Sequence, residues 1–179
     1  MNNNFDFQSV LVGDTIYLRP VRAHDFEALY AAASDPKIWE QHPQPTRYQR
    51  DVFESSFFNG ALASGSAFVV IDKATDRILG SSRYYEWDAK NAEVAIGFTF
   101  LVCSHWGGAT NAEMKKLMLS HAFQWAKVVW LHIGKENWRS RKAAEKIGAI
   151  FSHEEVKDIN GIVRESAFYK ILPDVLKDL

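Results

Sequence analysis

Apolar positions recur along this chain with two different periods, and the changes of period mark out its elements. Thr15-Ile16-Tyr17-Leu18-Arg19 has the β-branched and aromatic content of a first strand. From Ala23 to Ala33 the residues Phe26, Leu29, Tyr30 and Ala33 follow helical spacing, and Ser34-Asp35-Pro36 ends that helix. His42-Pro43-Gln44-Pro45 reads as a loop. A second helix is predicted from Thr46 to Ala63, with Tyr48, Val52, Phe53 and Phe57 along one side. The middle of the chain then changes period, with a short apolar strand over Ala67–Asp72 and two longer strands over Ile78–Trp87 and Glu93–Val102. Ala109–Ala126 is the strongest helix, placing Met114, Leu117, Met118, His121 and Trp125 on one face. A strand over Val128–Ile133 and a helix over Asn137–Ile147 closed by Gly148 follow. Phe151–Val156 and Ile162–Ile171 suggest a hairpin turning at Asn160-Gly161. This order predicts an α+β fold, a mixed sheet with helices packed on it.

Composition narrows the picture. The 179 residues show no repeat and no linker, so a single domain over residues 1–179 is expected. The lone Cys103 allows no internal disulfide and no zinc site, which points to a reducing, cytoplasmic setting. Met1–Gln8 lacks the features of a secretory signal, and no apolar run approaches membrane-spanning length. Lys plus Arg (21) balance Asp plus Glu (22), so neither a nucleic-acid nor a membrane partner is expected. Aromatic residues make up 13% of the chain, including six Trp. Such content suits a large core, an aromatic cleft or the interface of a homodimer, and composition leaves the three open.

Two stretches carry chemistry. Val102-Cys103-Ser104-His105-Trp106-Gly107-Gly108-Ala109-Thr110-Asn111 follows a strand and opens the best helix. Two glycines let the backbone turn tightly, and a helix N-terminus offers unpaired N–H donors, so the pair suits a phosphate or pyrophosphate. It is neither a Walker loop nor a dinucleotide fingerprint. The second stretch runs from Asn137 to Ala149, where Asn137 can cap the helix and Ser140 lies in its first turn.

Taken together, the two stretches resemble the GNAT superfamily of N-acetyltransferases, and more closely its ribosomal-protein N-acetyltransferase-like branch. The family's Gln/Arg-x-x-Gly-x-Gly/Ala turn is matched by Ser104-His105-Trp106-Gly107-Gly108-Ala109. Its Asn-x-x-Ser-x-x-Ala-x-x-Lys-x-Gly signature is matched at Asn137, Ser140, Ala143, Lys146 and Gly148. The strand from Glu93 to Leu101 is similar to the family's Glu-Ile-Gly-Tyr strand, and Leu18-Arg19-Pro20 with Asp25 to its opening elements. Three positions depart from the pattern. Ser104 replaces Gln or Arg, Ala95 replaces the strand's Glu, and Ala144 replaces a Tyr that many relatives use as the thiolate's acid.

The resemblance implies a splayed, mostly antiparallel sheet with helices on both faces and acetyl-CoA wedged between strands. By it Phe100, Leu101, Val102 and Cys103 meet the pantetheine arm. Trp106, Gly107, Gly108, Ala109, Thr110 and Asn111 hold the pyrophosphate, and Asn137 and Ser140 lie near the thioester. It also implies direct attack by an amine acceptor, a protein N-terminus or a small molecule, with no covalent enzyme intermediate. Glu93 and Glu86 are the candidate general bases and Ser140 the candidate acid. Cys103 has no His–Asn partner pattern of a nucleophile, and His105 and His121 match no metal-ligand spacing. Trp39, His42, Arg47 and Tyr48, faced by Tyr84, Tyr85 and Trp87, are the candidate acceptor wall; a packed aromatic cluster is the competing reading. A non-catalytic acyl-CoA-binding module and a structural dimerisation protein are the other two classes compatible with the chain.

Overall fold

In the computed structural model, which describes residues 5–159 and 162–177, the strand β3 (Ala67–Asp72) is buried along nearly its whole length. Phe68 and Val70 enter one hydrophobic core while Ala67, Val69 and Ile71 enter another. The alternation of a β-strand therefore turns one unbroken apolar run into the shared wall of two cores. Around it stand β1 (Leu11–Val12), β2 (Ile16–Pro20), β4 (Ile78–Asp88), β5 (Glu93–Leu101), β6 (Val128–Gly134), β7 (Ile150–Ile159) and β8 (Ile162–Ile171). They form one sheet in the order β1-β2-β3-β4-β5-β6-β8-β7, and only β5 and β6 are parallel.

One face carries α4 (Ala109–Ala122) and α5 (Trp138–Lys146), whose Met114, Met118, Ala144 and Ile147 pack with Leu18, Tyr84, Ile96 and Leu131. The other face carries α1 (Phe26–Ala33) and a helical run of α2 (Arg50–Phe53), a π-helical turn (Glu54–Phe58) and α3 (Asn59–Ser64). Eight residues are too few for α1 to stand alone in water, so Leu29 and Ala33, both fully buried, hold it. Its entry is fixed by Arg19 of β2, which binds buried Asp25 through both guanidinium nitrogens at 2.8 and 2.7 Å.

The second helix begins later than its spacing predicts. Gln49 is extended and caps a helix starting at Arg50, while Thr46–Gln49 forms a turn. The inserted π turn lets Phe53, Phe57 and Phe58 all reach the core, and Ser55 and Ser56 donate their hydroxyls to the carbonyls of Asp51 and Val52. The strong helix ends at Ala122, four residues early, where Phe123–Trp125 turn back and Trp125 packs edge-on against His121. The short β1 pairs with β2 although too brief to show a period. The predicted turn at Asn160-Gly161 lies outside the described residues. Among the described residues no helix is long and apolar enough to cross a membrane.

Candidate active site

The sheet parts between its two parallel strands. β5 and β6 pair only at Glu93–Val128, Val94–Val129 and Ala95–Trp130, after which Ile96–Leu101 and Leu131–Gly134 run on without pairing to each other. β5 stays on β4, and β6 stays on β8 to Gly134. The result is a cleft that opens from Ala95 toward the C-terminal ends of both strands, the place where open sheets bind ligands.

On the α4–α5 face, β5 leads through a short 3-10 turn (Cys103–His105) to Gly107 and Gly108. Gly107 takes φ +71°, which an L-side chain rarely adopts. A Cβ at either glycine would project into open space. Gly108 caps α4 without any side-chain hydrogen bond, so the first amides of a fourteen-residue helix are left for another partner. This cradle fits an anionic phosphate group. Thr110 is drawn toward His105, whose Nδ1 lies 3.0 Å from its Oγ1. Across the cleft Asn137 caps α5, its Oδ1 accepting from the Ser140 amide at 3.2 Å. Trp106 spans the gap, its indole donating to the Leu101 carbonyl at 2.9 Å while the Arg139 guanidinium stacks on it at 4.1 Å. That bond and the bond from the Val102 amide to the Leu79 carbonyl use two of the backbone groups expected to meet the pantetheine arm. Cys103 is half-buried, and burial and a hydrogen bond to Asp35 raise its pKa, which keeps the thiol protonated.

On the opposite face a second group gathers at the point where the strands part. Two β-bulges in the β4–β5 pairing hold Glu86 (φ +51°) and Phe98 (φ +50°) in left-handed conformations, a strain typical of functional sites. Glu86 lies 3.8 Å from Nδ1 of His132, the second residue of β6 past its last pairing with β5. Burial pulls the His132 pKa below its ordinary value and Glu86 partly offsets this, so at neutral pH the imidazole is free to accept a proton. Tyr85 lies across β5 against His132, ring centroids 5.5 Å apart. Gly97 makes that approach possible, because a Cβ there would sit 2.8 Å from the Tyr85 ring. Phe168 and His153 extend the stack, and beside it a cavity of about 150 Å³ is lined by His132, Glu155, Lys157, Arg164, Ser166 and Phe168. A wider depression of about 530 Å³ along the outer side of α4 shares no residue with this cleft.

Trp39, His42 and Arg47 form a cluster of their own, linked to this second group through the charge of Arg164, which lines the cavity. Arg47 stacks on Trp39 and Phe57 and lies 3.2 Å from His42 Nε2. Burial, with the charges of Arg47 and Arg164, pushes His42 down to about 3. Tyr48 packs at the edge of the same core.

Three expected site residues are placed elsewhere. Strand alternation sends Tyr84 to the α4 face, where it donates to the Met118 carbonyl at 2.6 Å, and the bulge at Glu86 returns Trp87 to that face, where it packs on Phe5. Neither faces the acceptor wall. Glu93 sits at the paired start of β5, below the parting, and accepts from the Trp130 indole at 2.8 Å. Sequence spacing passed over His132, since a lone histidine on a strand carries no signal until the sheet sets it beside Glu86. It also passed over Lys115, a buried amine lowered to about 8 by burial that donates to Thr99 Oγ1 at 3.1 Å.

Comparison with known proteins decides the family. The model of the acetyltransferase (GNAT) domain matches residues 15–150. The chain belongs to the GNAT acetyltransferases. It is an acetyl-CoA-dependent N-acetyltransferase that acts on an amine. Solved GNAT structures share its fold. A GCN5-related N-acetyltransferase from Brucella melitensis is 21% identical, covering 97% of this chain and 85% of that one with a TM-score of 0.85. RimJ from Mycobacterium smegmatis in complex with CoA-disulfide is 19% identical, covering 93% and 86% at a TM-score of 0.69. Spermidine N-acetyltransferase from Vibrio cholerae in complex with CoA and spermine is 17% identical, covering 92% and 99% at a TM-score of 0.69. Among curated proteins none matches the sequence.

Proposed function

We propose that this GNAT chain acetylates a primary amine held on the α1–α3 side of the cleft, while acetyl-CoA enters from the α4–α5 side. The observation that carries this reading is the Glu86–His132 pair at the parting of β5 and β6, on the face opposite the Gly107-Gly108 turn. Acetyl-CoA supplies the acetyl group as an activated thioester. Gly107, Gly108 and the first amides of α4 hold its pyrophosphate, with Ala109, Thr110 and Asn111 around them. The free edge of β5 from Phe100 onward lies along its pantetheine arm, and Asn137 keeps the start of α5 in place.

The acceptor arrives as an ammonium ion and must lose a proton before it can attack. His132 takes that proton, and the Glu86 carboxylate steadies the resulting imidazolium. Tyr85 fixes the ring plane of His132 from the other side. Ser140, half-buried in the first turn of α5 with no hydroxyl partner among the described residues, would relay the second proton, which the nitrogen sheds as the amide forms, to the departing sulfur. The amine takes the acetyl group directly, without an acyl-enzyme. Neighbours named for RimJ and for a polyamine enzyme share the scaffold, so likeness of fold alone leaves the acceptor open between a protein N-terminus and a small molecule.

The test is steady-state acetylation of an amine panel by wild type and His132→Gln. The reading expects the variant to lose about 10²- to 10³-fold in kcat, the usual worth of a general base. A variant within about three-fold of wild type would remove His132 from the mechanism.

A further inference from the structure

We propose that the acceptor amine carries a carboxylate of its own, and that Arg47 and Arg83 receive it. The inference rests on the acetyl-transfer reading above and names the substrate class of the same cleft.

A guanidinium stays charged, and burying one without a counter-ion is costly, so interiors pair buried arginines with carboxylates. Among the described residues part-buried Arg19 pairs with buried Asp25 in this way, and part-buried Arg141 with Glu154. Arg47 and Arg83 are more deeply buried than Arg19, at 5% and 8% exposure, yet neither forms an ion pair among the described residues. Arg47 finds only neutral partners: Ser56 Oγ at 3.2 Å, the Ser56 carbonyl at 3.4 Å and His42 Nε2 at 3.2 Å. Arg83 reaches the Phe57 carbonyl at 3.4 Å and stacks on Phe98 at 4.1 Å, while its buried Nε has no hydrogen-bond partner among the described residues. Arg164 adds a third positive charge, near enough to lower Arg47, and lines the cavity beside His132. Both Arg47 and Arg83 fall to about 10, with burial as the leading cause and no carboxylate to offset it.

Position decides which anion this is. Arg83 points toward Phe57 and Gly60 on the α2–α3 face, whereas the phosphate-binding turn opens α4 on the other face. Along β4, Arg83 lies two residues before Tyr85 on the same face, a step of about 7 Å. Phe98 stacks on the Arg83 guanidinium, Tyr85 packs against Phe98, and His132 packs against Tyr85, so a carboxylate on that fork and an amine at His132 lie along one row of side chains. A bidentate carboxylate would also satisfy the orphaned donors, which a polyamine would instead repel.

The probes are free L-amino acids and their uncharged C-terminal amides, with spermidine added, each assayed for acetyl transfer by release of the CoA thiol. Wild type is expected to favour the free acids by about 10²-fold in kcat/KM. Arg83→Gln should lose most of that preference while its kcat/KM for the amides stays within about three-fold, and Arg83→Lys should keep an intermediate preference. Arg47→Gln provides a second variant should Arg83→Gln fail to fold, and the same loss of preference is expected of it. Amides or spermidine used as well as the acids would overturn the inference and leave acetyl transfer standing. An equal fall for every acceptor would also overturn it, by assigning the arginines to the reacting carbonyl. Binding of acetyl-CoA with no transfer to any probe would overturn the acetyl-transfer reading and this inference with it.

Discussion

The two sides of the cleft are built in different ways. The coenzyme side is made of contiguous segments: a strand end, two glycines and a helix start within Val102–Asn111, and a capped helix start at Asn137–Ser140. Its chemistry comes from backbone amides, and side chains serve mainly to leave room. The acceptor side is assembled from single residues on β4, β5, β6 and β8 and from the Trp39–Arg47 loop. Its chemistry comes from side chains whose charge and proton affinity are set by burial. A backbone cradle is written in consecutive residues and tolerates little variation. A side-chain wall can be rewritten one residue at a time, which suits the part of an acetyltransferase that chooses its acceptor.

This difference can be probed from either side. Beyond His132→Gln, the largest effect is expected on the coenzyme side, from Gly108→Leu. Gly108 has an ordinary extended backbone, and a Cβ there meets nothing, so the variant should fold normally. Its side chain would fill the cradle and weaken acetyl-CoA binding by at least about 10²-fold, measured by calorimetric titration. A smaller effect is expected from Gly97→Ala on the acceptor side. The added Cβ forces the Tyr85 ring off His132, which should cost about 1–3 kcal/mol of stability and roughly ten-fold in kcat, with coenzyme affinity unchanged. Denaturant melts and steady-state rates report the two parts separately. The smallest and most specific effect is a shift in the pH profile. The Glu86 carboxylate raises the His132 pKa, so removing its charge with Glu86→Gln lowers that pKa further. The rate rises with pH as His132 loses its proton, so the acidic limb of kcat in Glu86→Gln should move to lower pH.

Legibility in the sequence follows the same division. The strands at Ala67–Asp72 and Ile162–Ile171, the start of α4 and the Asn137 cap stand in the structure where spacing placed them, because each is specified by neighbours in the chain. The π turn at Glu54–Phe58 was not legible, since it answers to the packing of Phe57 and Phe58 against the sheet. Tyr84 and Tyr85 look alike as adjacent aromatics, and only the phase of β4 sends one to α4 and the other to the cleft. Glu86 and His132 lie 46 positions apart, and the bulge at Glu86 with the parting of β5 and β6 brings them together. The charge of Arg47 and Arg83 is plain in the sequence, but their burial without an acid is not.

The separation of the two sides is tested most directly by measuring acetyl-CoA affinity and kcat on the same preparations of Gly108→Leu and His132→Gln. The account predicts a crossed result: Gly108→Leu loses affinity, while His132→Gln binds acetyl-CoA as wild type does and loses turnover. A His132→Gln protein that lost coenzyme affinity as steeply as turnover, or a Gly108→Leu protein that bound normally, would contradict it.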